Sequence, residues 1–311
     1  MSNLLYGCNV KLHRVVAAVA LVGILSAGNI ANATAREASA ASVEQSVIAS
    51  NAIRDVPQPE QEFLESIPKD QPSRFDPRLG HCFSFSAVVK QCIAADRRSR
   101  STIVLLGDSH AWMWAPAVEI AANALHLRLV LMWHPSCPQA ATPPASNCTL
   151  WKTHAYEVVQ AMHPIAVLLA ERTTTGASHL SNEGWTTSVA QVLRRLRSSV
   201  THVAIIGDSP LLPMSPAQCL SIHPTNVQLC GVPRSGGLGL PRDRSAEERS
   251  AVLSVAGTSF IDSLNWLCYR ECSPIIGPRS AYFDAAHISG TYSAHLGGVM
   301  TEQISKILDE K

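Results

Sequence analysis

Ile103, Val104, Leu105 and Leu106 form a continuous apolar run of strand formers, which fits a strand buried on both faces. The run stops at Gly107-Asp108-Ser109-His110, and the apolar stretch from Trp112 to Leu127 has the length and composition of a helix. The same alternation continues along the chain. Strands are expected at Leu127 to Trp133, Ile165 to Ala170, Val203 to Ile206 and Ser259 to Ile261. Helices are expected from about Leu150 to Met162, Gly184 to Ser198, Arg244 to Ala256 and Gly290 to Leu308. Short apolar strands alternating with helices indicate an α/β fold with a doubly wound parallel sheet. Such folds bind ligands beyond the carboxyl ends of their strands. Ser109, Ser136, Arg172, Ser209 and the loop before the last helix are therefore expected on one rim.

The 311-residue chain is long enough to bury a sizeable core. Its net charge of +1 argues against a nucleic-acid-binding surface. Lys11 and Arg14, the apolar run Val15 to Ala27 and the small-x-small sequence Ala31-Asn32-Ala33 predict an export signal over 1–33. The alternative for that segment is an uncleaved N-terminal anchor, and either places the bulk of the chain outside the cytoplasm. Residues 34–79 are rich in Ala, Ser, Glu, Gln and Pro. They read as a flexible surface linker with a weak helix between Ala38 and Ile53, ahead of a compact domain over 80–311. Eight cysteines lie beyond the signal, and they allow 105 connectivities. They fall in neighbouring couples, so the simplest assignment is Cys82–Cys92, Cys137–Cys148, Cys219–Cys230 and Cys268–Cys272, in an oxidising compartment.

A partner for Ser109 stands near the C-terminus, in Tyr282-Phe283-Asp284-Ala285-Ala286-His287. An aspartate three residues before a histidine can hold the imidazole in one tautomer, and His287 can then take the serine proton and return it to a leaving group. Gly207-Asp208-Ser209 repeats the GDS string, but Pro210 restricts Ser209 towards extended backbone, which predicts a structural turn on the rim of the site. Trp112, Trp114 and Trp133 read mainly as core, with a sugar-binding cleft as the alternative for them. A binuclear metallophosphoesterase reading of Gly107 to His110 lacks the further Asp, His and Asn ligands that chemistry needs.

The stretches LLGDSHAW (105–112), SCP (136–138), VAIIGDSP (203–210), IDSLNWLC (261–268) and FDAAHIS (283–289) resemble the SGNH, or GDSL-type, hydrolases. They are most similar to the extracytoplasmic SGNH domains fused to bacterial acyltransferase-3 membrane proteins. The resemblance implies a three-layer, flavodoxin-like fold of SGNH-hydrolase type. It also implies a serine esterase or O-acyltransferase with Ser109, Asp284 and His287 as its triad and no cofactor or metal. The implied substrate is acylated envelope carbohydrate or glycolipid, and a membrane acyltransferase is the implied partner. SGNH enzymes add a Gly and an Asn to the oxyanion hole. Here the corresponding loops read His134-Pro135-Ser136 and Ala170-Glu171-Arg172-Thr173, so Ser136 and Arg172 are the candidate substrate and oxyanion contacts. Arg172 serves equally well as a structural ion-pair partner. The nonstandard loops keep open a second class of function, a catalytically weak carbohydrate-binding domain working beside a membrane acyltransferase.

Overall fold

The computed structural model of the protein describes residues 38–140, 147–173, 180–235 and 244–310. The expected export signal lies outside them. In chain order the helices are α1 (Ala40–Ser50), α2 (Glu60–Ser66), α3 (Pro72–Phe75), α4 (Ser109–Ala124), α5 (Asn147–Met162), α6 (Asn182–Arg197), α7 (Pro216–Ile222), α8 (Ser245–Leu253), α9 (Gly290–His295) and α10 (Gly297–Asp309). The strands are β1 (Cys92–Ala95), β2 (Thr102–Gly107), β3 (Arg128–Trp133), β4 (Ala166–Ala170), β5 (His202–Ile206), β6 (Val232–Pro233), β7 (Thr258–Ile261), β8 (Glu271–Cys272), β9 (Ile275–Ile276) and β10 (Arg279–Ser280).

Six strands form one sheet in the order β1-β3-β2-β4-β5-β7, parallel except for the edge strand β1, which runs antiparallel to β3. Alternate residues of the central strands feed two apolar clusters on opposite faces, as a pleated strand requires. Ile103, Leu105, Leu129, Leu131 and Leu168 pack with residues of α1, α4, α9 and α10. Val104, Leu106, Val130, Met132, Val167 and Leu169 pack with residues of α5, α6 and α8. The result is the expected three-layer α/β fold. The chain passes from β2 to β3 on one side and then returns to place β4 on the other side of β2. The strand order therefore reverses between β2 and β4, and a crevice is left beyond their carboxyl ends. Ser109 follows β2 there.

β1 is the strand missing from the sequence reading. Only Ala94 of Cys92-Ile93-Ala94-Ala95 is buried, so the segment carries no apolar run. Residues 38–79 are not the linker they resemble. Val43 and Val47, one helical turn apart on α1, join the core of the domain. The Asn51 side chain accepts the backbone N–H groups of Arg270 and Glu271, and Gln228 donates to the carbonyls of Ser50 and Ile53. Val56 and Ile67 pack with Leu220, Val227 and Ile275 beside the Cys219–Cys230 pair. Pro72 and Pro77 do not break this segment, because each opens a short helical turn, where a missing N–H costs nothing. The expected C-terminal helix is broken at Leu296 into α9 and α10. All four cysteine couples stand at disulfide distance in the local pairing expected. No helix among the described residues is long and apolar enough to cross a membrane.

Candidate active site

The turn that carries Ser109 is built by a glycine and a cap. A Cβ on Gly107 would stand 1.8 Å from the carbonyl oxygen of Ala170, so β2 and β4 meet here at a distance that only glycine allows. Asp108 then caps α4, its Oδ1 accepting the His110 N–H at 2.8 Å. Ser109 is thereby the first residue of α4. Its N–H belongs to the turn of a helix whose donors have no intrahelical acceptor, at the positive end of the dipole.

The loop entering α9 closes on this turn. His287 Nε2 lies 2.9 Å from Ser109 Oγ, and His287 Nδ1 lies 2.8 and 3.0 Å from the two Asp284 oxygens. Asp284 Oδ1 also accepts the N–H groups of Ala286 and His287, both at 2.8 Å. Burial works against a charge on Asp284, but the His287 ring and these two N–H groups outweigh it and hold the carboxyl below its usual range. An ionised Asp284 fixes the His287 tautomer that leaves Nε2 as an acceptor for the serine proton. Phe283 stacks on the His287 ring at 5.5 Å and 12°, and Trp112 stacks on Trp133 at 5.4 Å, 6.0 Å from Phe283. Trp114 is wholly buried against Trp266.

A second buried set of polar side chains adjoins the first. His110 Nδ1 lies 2.5 Å from Asp208 Oδ1, and the two rings of His110 and His287 are 4.8 Å apart. Asp208 Oδ2 accepts from both the N–H and the hydroxyl of Thr173, at 2.7 and 2.9 Å, while Asp108 Oδ2 accepts the N–H of Arg172 at 3.1 Å. The aspartates of the two GDS strings thus hold consecutive N–H groups of the loop after β4. Burial resists a charge on His110, yet the Asp208 carboxylate overrides it and raises the histidine above its ordinary value. Asp208 is lowered by the same contact against the same resistance, whereas burial leaves Asp108 raised. Asp208, His110 and Thr173 carried no assigned role in the sequence reading. The signal that finds them is the repeat itself, because its two copies end the strands on either side of β4. Gly207-Asp208-Ser209 does not lie on the rim, since Asp208 and Ser209 are buried behind the serine–histidine pair.

A family model described as the SGNH domain fused to AT3 domains matches residues 76–302. The chain belongs to this family. Among curated proteins no sequence matches it. Among solved structures it is similar to the periplasmic domain of a lipopolysaccharide acetyltransferase from Salmonella ser. Paratyphi A, with 15% identity and a TM-score of 0.58 over 75% of this chain and 95% of that one. At that identity the likeness shows a shared fold. A mutant acetyl-xylooligosaccharide esterase from Geobacillus Stearmophilus aligns at 12% identity over 70% of this chain and 97% of that one, with a TM-score of 0.42.

Membership makes the chain an ester-acting hydrolase or acyltransferase of SGNH type. In this SGNH domain the first and last blocks come together, and the middle blocks differ in what they present. Arg172 is half-buried with its backbone tied to Asp108, one residue before Ser109. Ser136 is exposed in the turn after β3 at φ 55°, and no hydrogen bond among the described residues joins it to Ser109 or His287. The neighbouring His134 N–H donates to the Gly107 carbonyl at 3.1 Å, fastening that turn to the one that carries Ser109. No cluster of three or more His, Cys, Asp or Glu among the described residues could hold a metal ion.

Proposed function

We propose that this SGNH chain is an exported serine esterase or O-acyltransferase acting on O-acyl groups, of O-acetyl type, on envelope carbohydrate or glycolipid. One observation carries the chemistry: the 2.9 Å contact of His287 Nε2 with Ser109 Oγ, backed by Asp284 on Nδ1. In this reading Ser109 Oγ attacks the acyl carbonyl carbon as His287 Nε2 takes its proton. Collapse of the tetrahedral intermediate breaks the ester bond, and the departing alcohol oxygen receives that proton. Water or a sugar hydroxyl then attacks the acyl-enzyme, giving its proton to His287, and Ser109 recovers its hydrogen on release of the acyl group. The Ser109 N–H at the start of α4 is the first oxyanion donor, Arg172 is assigned as the second, and Ser136 is assigned to the outer, substrate-facing side.

Residues 1–33, with their positive start and apolar run, support export, and the four cysteine pairs suit an oxidising compartment. The periplasmic acetyltransferase domain of similar fold supports the same compartment and acyl group. The family description supports a membrane acyltransferase as partner. The test is labelling of purified protein by a fluorophosphonate probe, together with hydrolysis of a short-chain acyl ester. Both are expected for the natural sequence and lost in Ser109→Ala. Absence of labelling, or equal turnover by Ser109→Ala, leaves the accessory carbohydrate-binding reading in its place.

A further inference from the structure

The second GDS string touches each part of the site without supplying its nucleophile. Asp208 reaches His110, the residue after Ser109, and through Thr173 it holds the loop after β4. Ser209 Oγ donates to the carbonyl of Ala286 at 2.6 Å, and the Leu212 N–H donates to that of Ala285 at 2.8 Å, so the same segment fastens the stretch between Asp284 and His287. It is itself held from behind by Ser263, whose hydroxyl donates to the carbonyls of Gly207 and Asp208 at 2.7 and 3.0 Å.

We propose that Asp208 and His110 form a buried ion pair that positions Ser109, the loop carrying Arg172 and the Asp284–His287 loop relative to one another. We further propose that the charge on His110 reinforces the positive N-terminus of α4 where the substrate oxygen becomes negative. The inference rests on the reading of Ser109, His287 and Asp284 as the catalytic triad. His110 and Asp208 are positioning residues, and neither exchanges a proton with substrate.

The geometry favours two charges over two neutral groups. The side chains are 1% and 4% exposed, and at 2.5 Å each is the other's counter-ion. The Asp208 carboxylate accepts four donors, namely His110 Nδ1, the Thr173 N–H and hydroxyl, and the Ser209 N–H at 2.7 Å. A carboxylate so satisfied retains its charge in a buried place. Among the described residues His110 Nε2 is buried with no hydrogen-bond partner, beside the first turn of α4. The groups facing His110 are Asp108 on its own turn, Asp208 after β5, Arg172 after β4 and His287 before α9. The two carboxylates, Asp208 in direct contact, outweigh the opposing Arg172, so the surroundings favour a cation.

The test is Asp208→Asn in the full chain, read by kcat and KM on p-nitrophenyl acetate across pH and by amide hydrogen exchange at Arg172 and Thr173. Asparagine preserves the shape and removes the counter-ion. The expected result is a kcat lower by about 10- to 100-fold with KM within about threefold, the signature of a site held slightly out of place. The alkaline limb of the kcat profile moves to lower pH, because His110 loses its proton earlier, and exchange at Thr173 quickens. A folded Asp208→Asn protein with unchanged kcat, an unmoved alkaline limb and unchanged exchange overturns the proposal. Should that variant not fold, His110→Asn decides, since its amide can still donate to Asp208 but carries no charge. Its kcat is expected to fall by about three- to tenfold, and no fall overturns the proposal. If the natural sequence shows no Ser109-dependent turnover, the triad reading fails separately, and exchange at Thr173 alone judges the ion pair.

Discussion

Gly107-Asp108-Ser109 and Gly207-Asp208-Ser209 are the same three residues at the carboxyl ends of two parallel strands, β2 and β5, on either side of β4. Their downstream neighbours separate their fates. After Ser109 the chain turns straight into α4, so the serine stands at a helix N-terminus within reach of His287. After Ser209 comes Pro210, no helix begins until Pro216, and the hydroxyl turns to a backbone carbonyl. The aspartates differ as well. Asp108 spends one oxygen capping its own helix, while Asp208 makes no cap and reaches across the end of β4 to His110. A GDS string is therefore not a nucleophile by composition. Only at Ser109 does a helix begin on the serine and a histidine arrive from elsewhere.

The comparison breaks most sharply at the hydroxyls. Ser109→Ala is expected to lower kcat for an acyl ester by about 10⁴- to 10⁶-fold, as loss of a nucleophile does. Ser209→Ala, one strand pair away, is expected to cost no more than about tenfold. Steady-state kinetics of the two variants side by side settle this, and a comparable loss in both sinks the distinction.

The next largest contrast is in the glycines. At Gly107 an added methyl meets the backbone of Ala170 at 1.8 Å, and backbone in a buried sheet cannot yield. At Gly207 the nearest atoms are the Phe260 ring edge at 2.9 Å and the Ser263 hydroxyl at 3.1 Å, both side chains with some freedom to move. Gly107→Ala is therefore expected to cost more than about 3 kcal/mol or to prevent folding, and Gly207→Ala about 1–2 kcal/mol. Urea unfolding midpoints measure both, and equal midpoints would show that β2 and β4 are not so closely joined.

The same contrast explains which features were legible in the amino-acid sequence. β2 to β5 were legible because each is an apolar run buried on both faces, a pattern that depends on the strand's own residues. The contact of Asp284 with His287 was legible because a spacing of three residues belongs to one turn that the segment forms locally. The role of Asp208 was not, because it depends on which strands are neighbours. β5 lies two strands from β2 in space, and nothing in Gly207-Asp208-Ser209-Pro210 says that His110 is within reach. Residues 38–79 failed for a related reason. Val43, Val47, Val56 and Ile67 are too sparse to announce a core, and they are buried only because surfaces from far along the chain receive them. Ser136 was singled out by its position after β3, but position alone does not say which way a turn residue faces.

The smallest expected effect sharpens the comparison from the loop that lies between the two turns. Glu171 precedes Arg172 and Thr173, whose N–H groups the two aspartates hold, but its own side chain accepts the Ala140 N–H at 2.9 Å on the α5 side of the sheet. Burial is the main cause that pushes Glu171 up to about 7, and the same burial, partly offset by Glu171, brings the nearby Lys152 down to about 8. A carboxyl raised from its usual value near 4.5 adds stability at pH values below that value. The contribution is lost as pH rises through about 7, where the folded state must finally ionise a buried group. Glu171→Gln cannot ionise, so its stability profile between pH 5 and 7 is expected to be flatter than that of the natural sequence by about 1–3 kcal/mol. If the two GDS aspartates position this loop through its backbone, kcat should not follow the Glu171 side chain. Denaturant unfolding at several pH values checks the first expectation and steady-state kinetics the second. A kcat that tracked the Glu171 ionisation would mean that the side chains of this loop, and not only its N–H groups, set the geometry around Ser109.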